Sequence, residues 1–274
     1  MNIHYKEHTP SPALKPFIHS FWSISSSGLS QEISEKQRCF PSQHCQWIIR
    51  VKGRNCIEFK DDEVVDCSES FFTGFNEIAP VWAMHGQSEL FGIRLTPEFA
   101  VSLFNLPFGE FNNHHLKAAD WLGREADLLT EQLHETENTL VRIEIAEQFF
   151  IRHINKINPE NTYFSEALRL LREQDAGDIE NVSQKVFVGE RQLQRTFKST
   201  LGITPGFYYR MVRLYKAYHH ALYGKGNLTH IAYSHGYADT AHFSREFKDY
   251  FGNSPANHFN ATHFQPMNTM AKII

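Results

Sequence analysis

The feature that most constrains this sequence is a segment that recurs fifty residues further along the chain. Residues 193–205 and 243–255, aligned without gaps, are identical at five of thirteen positions, where average residue frequencies give about one. The apolar residues fall at matching positions, Leu193, Phe197 and Leu201 in the first copy and Phe243, Phe247 and Phe251 in the second. This spacing of four residues predicts one amphipathic helix that is used twice.

Each copy follows a shorter amphipathic segment, residues 179–187 before the first and residues 228–235 before the second. Tight-turn residues separate segment from helix. In the second unit, Gly236 can adopt a positive φ and Asp239 can cap the next helix. A helix, a short turn and a second helix that ends in glycine form a helix-turn-helix, so we expect two such units.

The exposed faces of the two repeated helices carry polar residues suited to DNA. Arginine can pair with guanine, glutamine with adenine, and lysine can neutralise a phosphate. The candidate DNA-binding residues are Arg191, Gln192, Gln194, Arg195 and Lys198 in the first unit and Thr240, Ala241, His242, Ser244 and Arg245 in the second. A solvated helix face is the alternative for both sets, and phosphate contact rather than base contact is a further alternative for the second.

Charge supports a nucleic-acid partner only for the C-terminal part. The whole chain has a formal net charge of −4. Residues 160–274 hold 13 Lys and Arg against 10 Asp and Glu, whereas residues 1–159 hold 14 against 21. Residues 185–216 hold seven basic residues against the single acid Glu190. The positive charge is therefore concentrated around the first predicted unit.

The tandem units resemble the DNA-binding domain of the AraC/XylS family of bacterial transcription activators. The resemblance covers residues 164–259 and is carried by LQRTFKSTLGITP, by Arg213-Leu214 with Ala217, and by IAYSHGYADTAHFSREFKDYFGNSP. It implies that a helix over about 205–223 joins the units and that their recognition helices enter successive major grooves. The sequence departs from the family pattern at Ser183, Gly189 and Asn260, which affects the expected contact geometry.

The N-terminal part has a different pattern. Short runs rich in β-branched and aromatic residues, at 46–51, 55–59 and 90–95, predict strands of a sandwich or barrel. This part resembles the cupin-like sensor domains that precede such units, which implies a small effector in the mouth of a barrel. The candidate ligand-binding residues are Trp22, His44, Trp47, Trp82, His85 and Arg94. Core packing is the alternative role for the aromatic ones.

Helical periodicity follows at 97–104, 120–133 and 140–154, and Pro159 lies in a break before the next helical region. We therefore predict an α+β chain of two domains. Residues 1–157 would form a cupin-like β-barrel or sandwich with trailing helices, for effector sensing or dimerisation. Residues 158–274 would form an all-α tandem helix-turn-helix domain.

Several functional classes lack support. The sixteen histidines and four cysteines show no metal-ligand spacing, and neither Ser42 with His44 nor Cys45 with a distant histidine fits a known nucleophile signature. No apolar run approaches the about 20 residues of a membrane helix, and the N-terminus does not look like a secretory leader. We expect a cytoplasmic protein with reduced cysteines, no metal, no cofactor and no enzymatic activity.

The sequence thus predicts a sequence-specific transcription regulator. The expected partner is double-stranded DNA, and a small-molecule effector, RNA polymerase and a second copy of the chain are further candidates. Two alternatives stay open. One is a metal-binding cupin-like enzyme tethered to a helix-turn-helix domain, and the other is a module that binds partner proteins.

Overall fold

A computed structural model describes residues 2–29, 32–54, 57–60, 63–66, 68–106, 108–154, 162–173, 178–223 and 227–260. Two antiparallel β-sheets form the first part of the chain, and helices form the rest. The expected order of a sheet-rich part followed by an all-helical part is confirmed. None of the helices in these ranges is long and apolar enough to cross a membrane.

The strands, in chain order, are β1 (Asn2–His8), β2 (Ile18–Ser27), β3 (Gln37–Arg38), β4 (Cys45–Lys52), β5 (Ile57–Lys60), β6 (Glu63–Asp66), β7 (Ser70–Thr73), β8 (Val81–Ala83), β9 (Glu89–Leu95) and β10 (His115–Lys117). Six strands form one sheet in the order β1-β2-β9-β4-β7-β10. The other four form a second sheet in the order β3-β8-β5-β6. The two sheets form a sandwich and do not close into one barrel.

Burial alternates along the central strands. In β4, Cys45, Trp47 and Ile49 are fully buried on one face, while Gln46 and Ile48 lie on the other. The period of two places successive side chains on opposite faces of the sheet. The first face packs against helices, and the second faces the four-stranded sheet, so the six-stranded sheet is the middle layer.

The helices are α1 (Pro97–Phe104), α2 (Phe108–Phe111), α3 (Ala118–Leu122), α4 (Arg124–His134), α5 (Thr139–Ile154), α6 (Thr162–Glu173), α7 (Ile179–Lys185), α8 (Glu190–Leu201), α9 (Pro205–Tyr223), α10 (Leu228–Ser234), α11 (Thr240–Phe251) and α12 (Pro255–Asn260). The helix predicted over 120–133 is divided between α3 and α4. Gly123, whose φ is 57°, separates them. A positive φ is adopted readily by glycine and interrupts a right-handed helix.

Two apolar cores support the helical part. The first is one continuous cluster that runs from the six-stranded sheet through α1, α4 and α5 into α6, α7, α8 and the start of α9. The second lies among the rest of α9, α10 and α11. The predicted domain boundary after residue 157 lies outside the described residues, and buried packing continues across it.

Candidate nucleic-acid interface and ligand cavity

The first helix-turn-helix unit consists of α7 and α8. Leu193, Phe197 and Leu201 of α8 are fully buried, as their spacing predicts. Gly189 caps α8 without a side-chain hydrogen bond, and Gly202 ends it in the left-handed conformation with φ 69°. The apolar stripe therefore fixes which face of α8 points outward.

The outward face of α8 holds all the predicted residues of the first unit. These exposed residues are Arg191, Gln192, Gln194, Arg195 and Lys198. The ammonium of Lys198 donates to the carbonyl of Gly202 at 2.8 Å, beyond the C-terminal end of the helix. Because the N-terminal residues of a recognition helix reach base edges, the first four suit base contact and Lys198 suits phosphate contact.

The second unit consists of α10 and α11. Gly236 has φ 73°, and the Asp239 carboxylate accepts a hydrogen bond from the backbone N–H of His242 at 2.6 Å. Both turn features follow the sequence prediction. Among the predicted contact residues, Ala241 and Arg245 are exposed, while Thr240, His242 and Ser244 are half-buried. The face of α11 is therefore less open than that of α8.

Arg213 of α9 fixes the second recognition helix from inside. Its guanidinium pairs with the Glu246 carboxylate of α11 at 2.5 Å and lies 4.1 Å from the ring centroid of Tyr237. Tyr237 donates to the same carboxylate at 2.8 Å. Arg213 is one of the seven basic residues counted over 185–216, but it is buried and paired, so it adds no charge to the DNA-facing surface.

The first unit is docked on the N-terminal part through α2 and α8. A Cβ added to Gly202 would lie 2.6 Å from the Cα of Gly109, which shows how closely the two backbones approach. The Asn112 amide donates to the carbonyl of Leu201 at 2.7 Å. Nearby, Arg172 of α6 pairs with Glu98 of α1.

The second unit meets the N-terminal part at two loops. The Tyr250 hydroxyl of α11 donates to the carbonyl of Phe40 at 3.0 Å, and the N–H of Ala79 donates to the carbonyl of Tyr250 at 2.9 Å. The Phe40 ring packs 4.9 Å from the ring of Tyr218 on α9. These contacts link the loops beside the sheets to α9 and α11.

A cavity of about 110 Å³ is lined by residues of both sheets, of the loops beside them, and by Tyr215 of α9. Four predicted ligand-binding residues line it: Trp22, His44, Trp82 and Arg94. The other two, Trp47 and His85, lie elsewhere. Trp47 is on the opposite face of the sheet, where its ring packs 5.6 Å from Phe149. His85 forms a backbone bridge with Ile33 at the sheet margin.

Arg94 of β9 is held by hydrogen bonds to two side chains of β1. It donates to the Glu7 carboxylate at 2.6 Å and to the Tyr5 hydroxyl at 3.0 Å. Burial raises the pKa of Glu7, but the charge of Arg94 and hydrogen bonds from Ser20 and Arg94 outweigh it, so the pKa lies below the usual value. The pair is therefore ionised and mutually neutralised at neutral pH.

Two histidines near this network are held in the neutral form. Burial lowers the pKa of His44 well below the usual value, and the charge of Arg94 adds to the effect. Burial also lowers the pKa of His219 on α9 to about 4. A buried imidazole without an anionic partner loses hydration when it is protonated, so both rings favour neutrality.

Three residues beside these sites were not predicted from the sequence. Tyr215 and Phe40 line the cavity, and only the folded chain brings them next to the sheets. Phe187, in the turn before α8, is 94% exposed and has φ 56°. The sequence did contain a signal for the positive φ of Phe187, because Gly236 stands at the equivalent position in the turn of the second unit.

The structure also locates the possible metal ligands and two of the four cysteines. Among the described residues, no three His, Cys, Asp or Glu side chains lie together in a way that could hold a metal ion. Cys45 is a buried free thiol, and burial raises its pKa. Cys56 and Cys67 lie outside the described residues.

Two separate parts of the chain match known protein families. Residues 182–261 match a helix-turn-helix domain family, and residues 6–117 match a domain family of unknown function, DUF6597. The HTH-type transcriptional activator RhaS of Escherichia fergusonii is 40% identical over 81 residues, which are 30% of this chain and 29% of that protein. RhaS of Yersinia pestis is 42% identical over 65 residues, 24% of each chain. The chain thus spans less than a third of the length of these relatives.

Solved structures of similar proteins overlap over a larger part of the chain. ToxT from Vibrio cholerae O395 is 12% identical with a TM-score of 0.48, and the match covers 96% of this chain and 98% of that one. This TM-score is too low for the likeness to support an assignment of function. The matched helix-turn-helix family, the RhaS relatives and the two tandem units agree on one assignment. The C-terminal part of this chain is a helix-turn-helix domain of the AraC type.

Proposed function

We propose that the chain is a sequence-specific transcription regulator that reads double-stranded DNA with α8 and α11. The observation that carries the proposal is the repeated helix, buried on one stripe and polar on the other in both units. In the first unit, Arg191, Gln194 and Arg195 occupy the first two turns of α8 and are exposed. Arginine and glutamine at these positions can form bidentate contacts with guanine and adenine in the major groove.

The test is the affinity of an Arg195→Ala variant for a duplex selected from a random DNA pool. We expect a loss of about 1–3 kcal/mol and a relaxed base preference at one position. Arg169→Ala is a matched control, because Arg169 is an exposed arginine of α6 that pairs with Glu166 and Glu173. Equal affinity of both variants and the original chain would contradict base reading and favour a module that binds partner proteins.

The N-terminal part would act as a sensor of a small molecule rather than as an enzyme. The cavity supports this role because its wall combines sheet residues with Tyr215 of the joining helix. Phe40 supports it as well, since its side chain lines the cavity while its carbonyl accepts a hydrogen bond from Tyr250 of α11. A ligand in the cavity would therefore press on a segment that contacts the second unit.

A cavity-filling variant tests this coupling without knowledge of the effector. Ile48 lines the cavity, so Ile48→Trp would place an indole inside it. We expect DNA affinity to change by at least about fivefold, the lower end of typical allosteric coupling. Leu29→Trp is the control, because Leu29 is 74% exposed and lies away from the cavity. Unchanged DNA affinity in a folded Ile48→Trp variant would contradict the coupling.

We also propose that the protein works in the cytoplasm and binds DNA as more than one copy. A regulator of this kind would work in the cytoplasm, where DNA and RNA polymerase are available. Two copies of the chain would bind DNA at paired half-sites, and a ligand in the cavity would then alter how the two copies bind. Sedimentation of the full chain with and without selected DNA measures the number of copies.

A further inference from the structure

The wall of the cavity is mainly apolar and aromatic. The apolar side chains that line it are Trp22, Ile24, Phe40, Ile48, Phe71 and Leu90. They come from β2, β4, β7, β9 and the loop before β4, so the wall is part of the folded sandwich and not of one loop. Such a wall favours a ligand with a flat, apolar body.

The charge in the wall is already balanced. Among the described lining residues, Arg94 is the one arginine or lysine, and there is no aspartate or glutamate. Arg94 is only 12% exposed, and its guanidinium donates to Glu7 and to Tyr5. An anionic ligand would compete with Glu7 for Arg94, and a cationic ligand would meet the guanidinium in a site of low polarity. Either charge loses hydration without gaining a free partner.

One donor in the wall has no acceptor. The indole Nε1 of Trp82 is buried and has no hydrogen-bond partner among the described residues. Trp22, in contrast, donates its Nε1 to the Gln46 side chain at 3.1 Å. A buried donor without a partner destabilises the fold, so a ligand acceptor that reached Trp82 would recover stability. Because that nitrogen is buried, the indole must shift as the ligand enters.

From the neutralised arginine, the aromatic wall and the unpaired indole donor, we infer that the effector is an uncharged small molecule with a flat apolar body and one hydrogen-bond acceptor oxygen. The inference rests on the proposed function, because it names the ligand class of the sensor cavity. Arg94, a candidate ligand-binding residue from the sequence, therefore does not anchor a charged ligand.

Four probes of similar shape test the ligand class: acetophenone, ethylbenzene, benzoate and 1-phenylethylammonium. Their dissociation constants for the full chain are measured by titration calorimetry. Acetophenone should bind most tightly, and ethylbenzene about three- to tenfold more weakly, because it lacks the oxygen. The two ions should bind more weakly than ethylbenzene. Benzoate or the ammonium binding as tightly as acetophenone would overturn the inference, and so would the absence of binding by both uncharged probes.

Two variants assign the result to the cavity. Trp82→Phe removes the indole donor and should abolish the advantage of acetophenone over ethylbenzene. Glu7→Gln removes the neutralising carboxylate, so benzoate should bind this variant at least about tenfold more tightly than the original chain. Glu137→Gln is the matched control, because Glu137 is 86% exposed and pairs with Lys52 on the surface. An unchanged preference in both cavity variants would overturn the assignment.

The readout also separates this inference from the proposed function. Binding of the selected duplex is measured on the same chain without a probe. Loss of specific DNA binding would contradict the regulator, whatever the probes do. Tight benzoate binding with intact DNA recognition would contradict only the uncharged ligand class.

Discussion

The two helix-turn-helix units have the same scaffold but different surroundings. The first buries its apolar stripe in the core that also holds the six-stranded sheet, whereas the second surrounds a separate core to which, among the described residues of the N-terminal part, only Ala79 and Phe40 contribute. Their outward faces differ too, since Ala241 and Ser244 stand where the first unit has Arg191 and Gln194. The comparison indicates a division of roles. We expect the first unit, which packs on the six-stranded sheet, to carry more of the base contacts, and Arg213 positions the second.

The largest expected effect concerns the internal ion pair of the second unit. Arg213→Met leaves the half-buried Glu246 carboxylate without its charged partner, and breaking such a pair costs about 3–5 kcal/mol. Thermal unfolding should show this loss, and hydrogen exchange should place it in α10 and α11. Arg210→Met is the control, because Arg210 lies on the exposed side of the same helix. Similar stability of the two variants would show that Arg213 does not hold the unit.

Removing the equivalent core phenylalanine from each unit tests whether the cores are separate. Phe197→Ala and Phe247→Ala should each cost about 3–5 kcal/mol, because both side chains are fully buried. Hydrogen exchange should rise in the six-stranded sheet as well as the first unit for Phe197→Ala. For Phe247→Ala it should rise mainly in the second unit. The same exchange pattern in both variants would contradict the division into two cores.

The two helix-ending glycines separate backbone strain from docking. Gly202→Ala and Gly252→Ala each place a side chain at a positive φ, which costs about 1–2 kcal/mol. Only Gly202→Ala also places a Cβ 2.6 Å from the backbone of Gly109. A Cβ added at Gly252 would lie 3.5 Å from its nearest neighbour, the end of the Arg38 side chain. Gly202→Ala should therefore be less stable, as measured by urea unfolding. Equal losses would show that the α2 contact tolerates displacement.

Acid should weaken the contact between α9 and the sheets. Because the pKa of His219 is about 4 in the folded chain and about 6.5 in the unfolded chain, the unfolded state binds more protons between these values. The stabilising effect of the neutral ring is complete above pH 6.5 and declines as the pH falls towards 4. Thermal midpoints should fall over this window, and His219→Gln should reduce the slope. A midpoint that rises with acid would contradict this assignment.

Much of the fold was predictable from local pattern. The strands at 46–51 and 90–95, the helices at 97–104 and 140–154, and the joining helix at 205–223 agree with the structure. The two strands followed from short β-branched and aromatic runs and the first two helices from helical periodicity, whereas the joining helix was implied by the family resemblance. The buried stripes of α8 and α11 followed from the same periodicity.

What local pattern could not predict depends on distant partners. Arg142 is almost fully buried in α5 because Glu89 of β9 pairs with it at 2.6 Å, whereas the apolar Leu140 of the same helix is 58% exposed. Likewise, Glu7 neutralises Arg94 from a strand that is 87 residues away in sequence. Both pairs are set by strand order, which the sequence alone does not specify.

Footprinting of the full chain on a selected duplex tests the central claim most directly. If α8 and α11 both enter the DNA, two major-groove segments about one helical turn apart should be protected on one face. Arg195→Ala should weaken protection at the first segment more than Arg245→Ala weakens it at the second. A single protected segment, or two segments on opposite faces of the duplex, would contradict reading by two units.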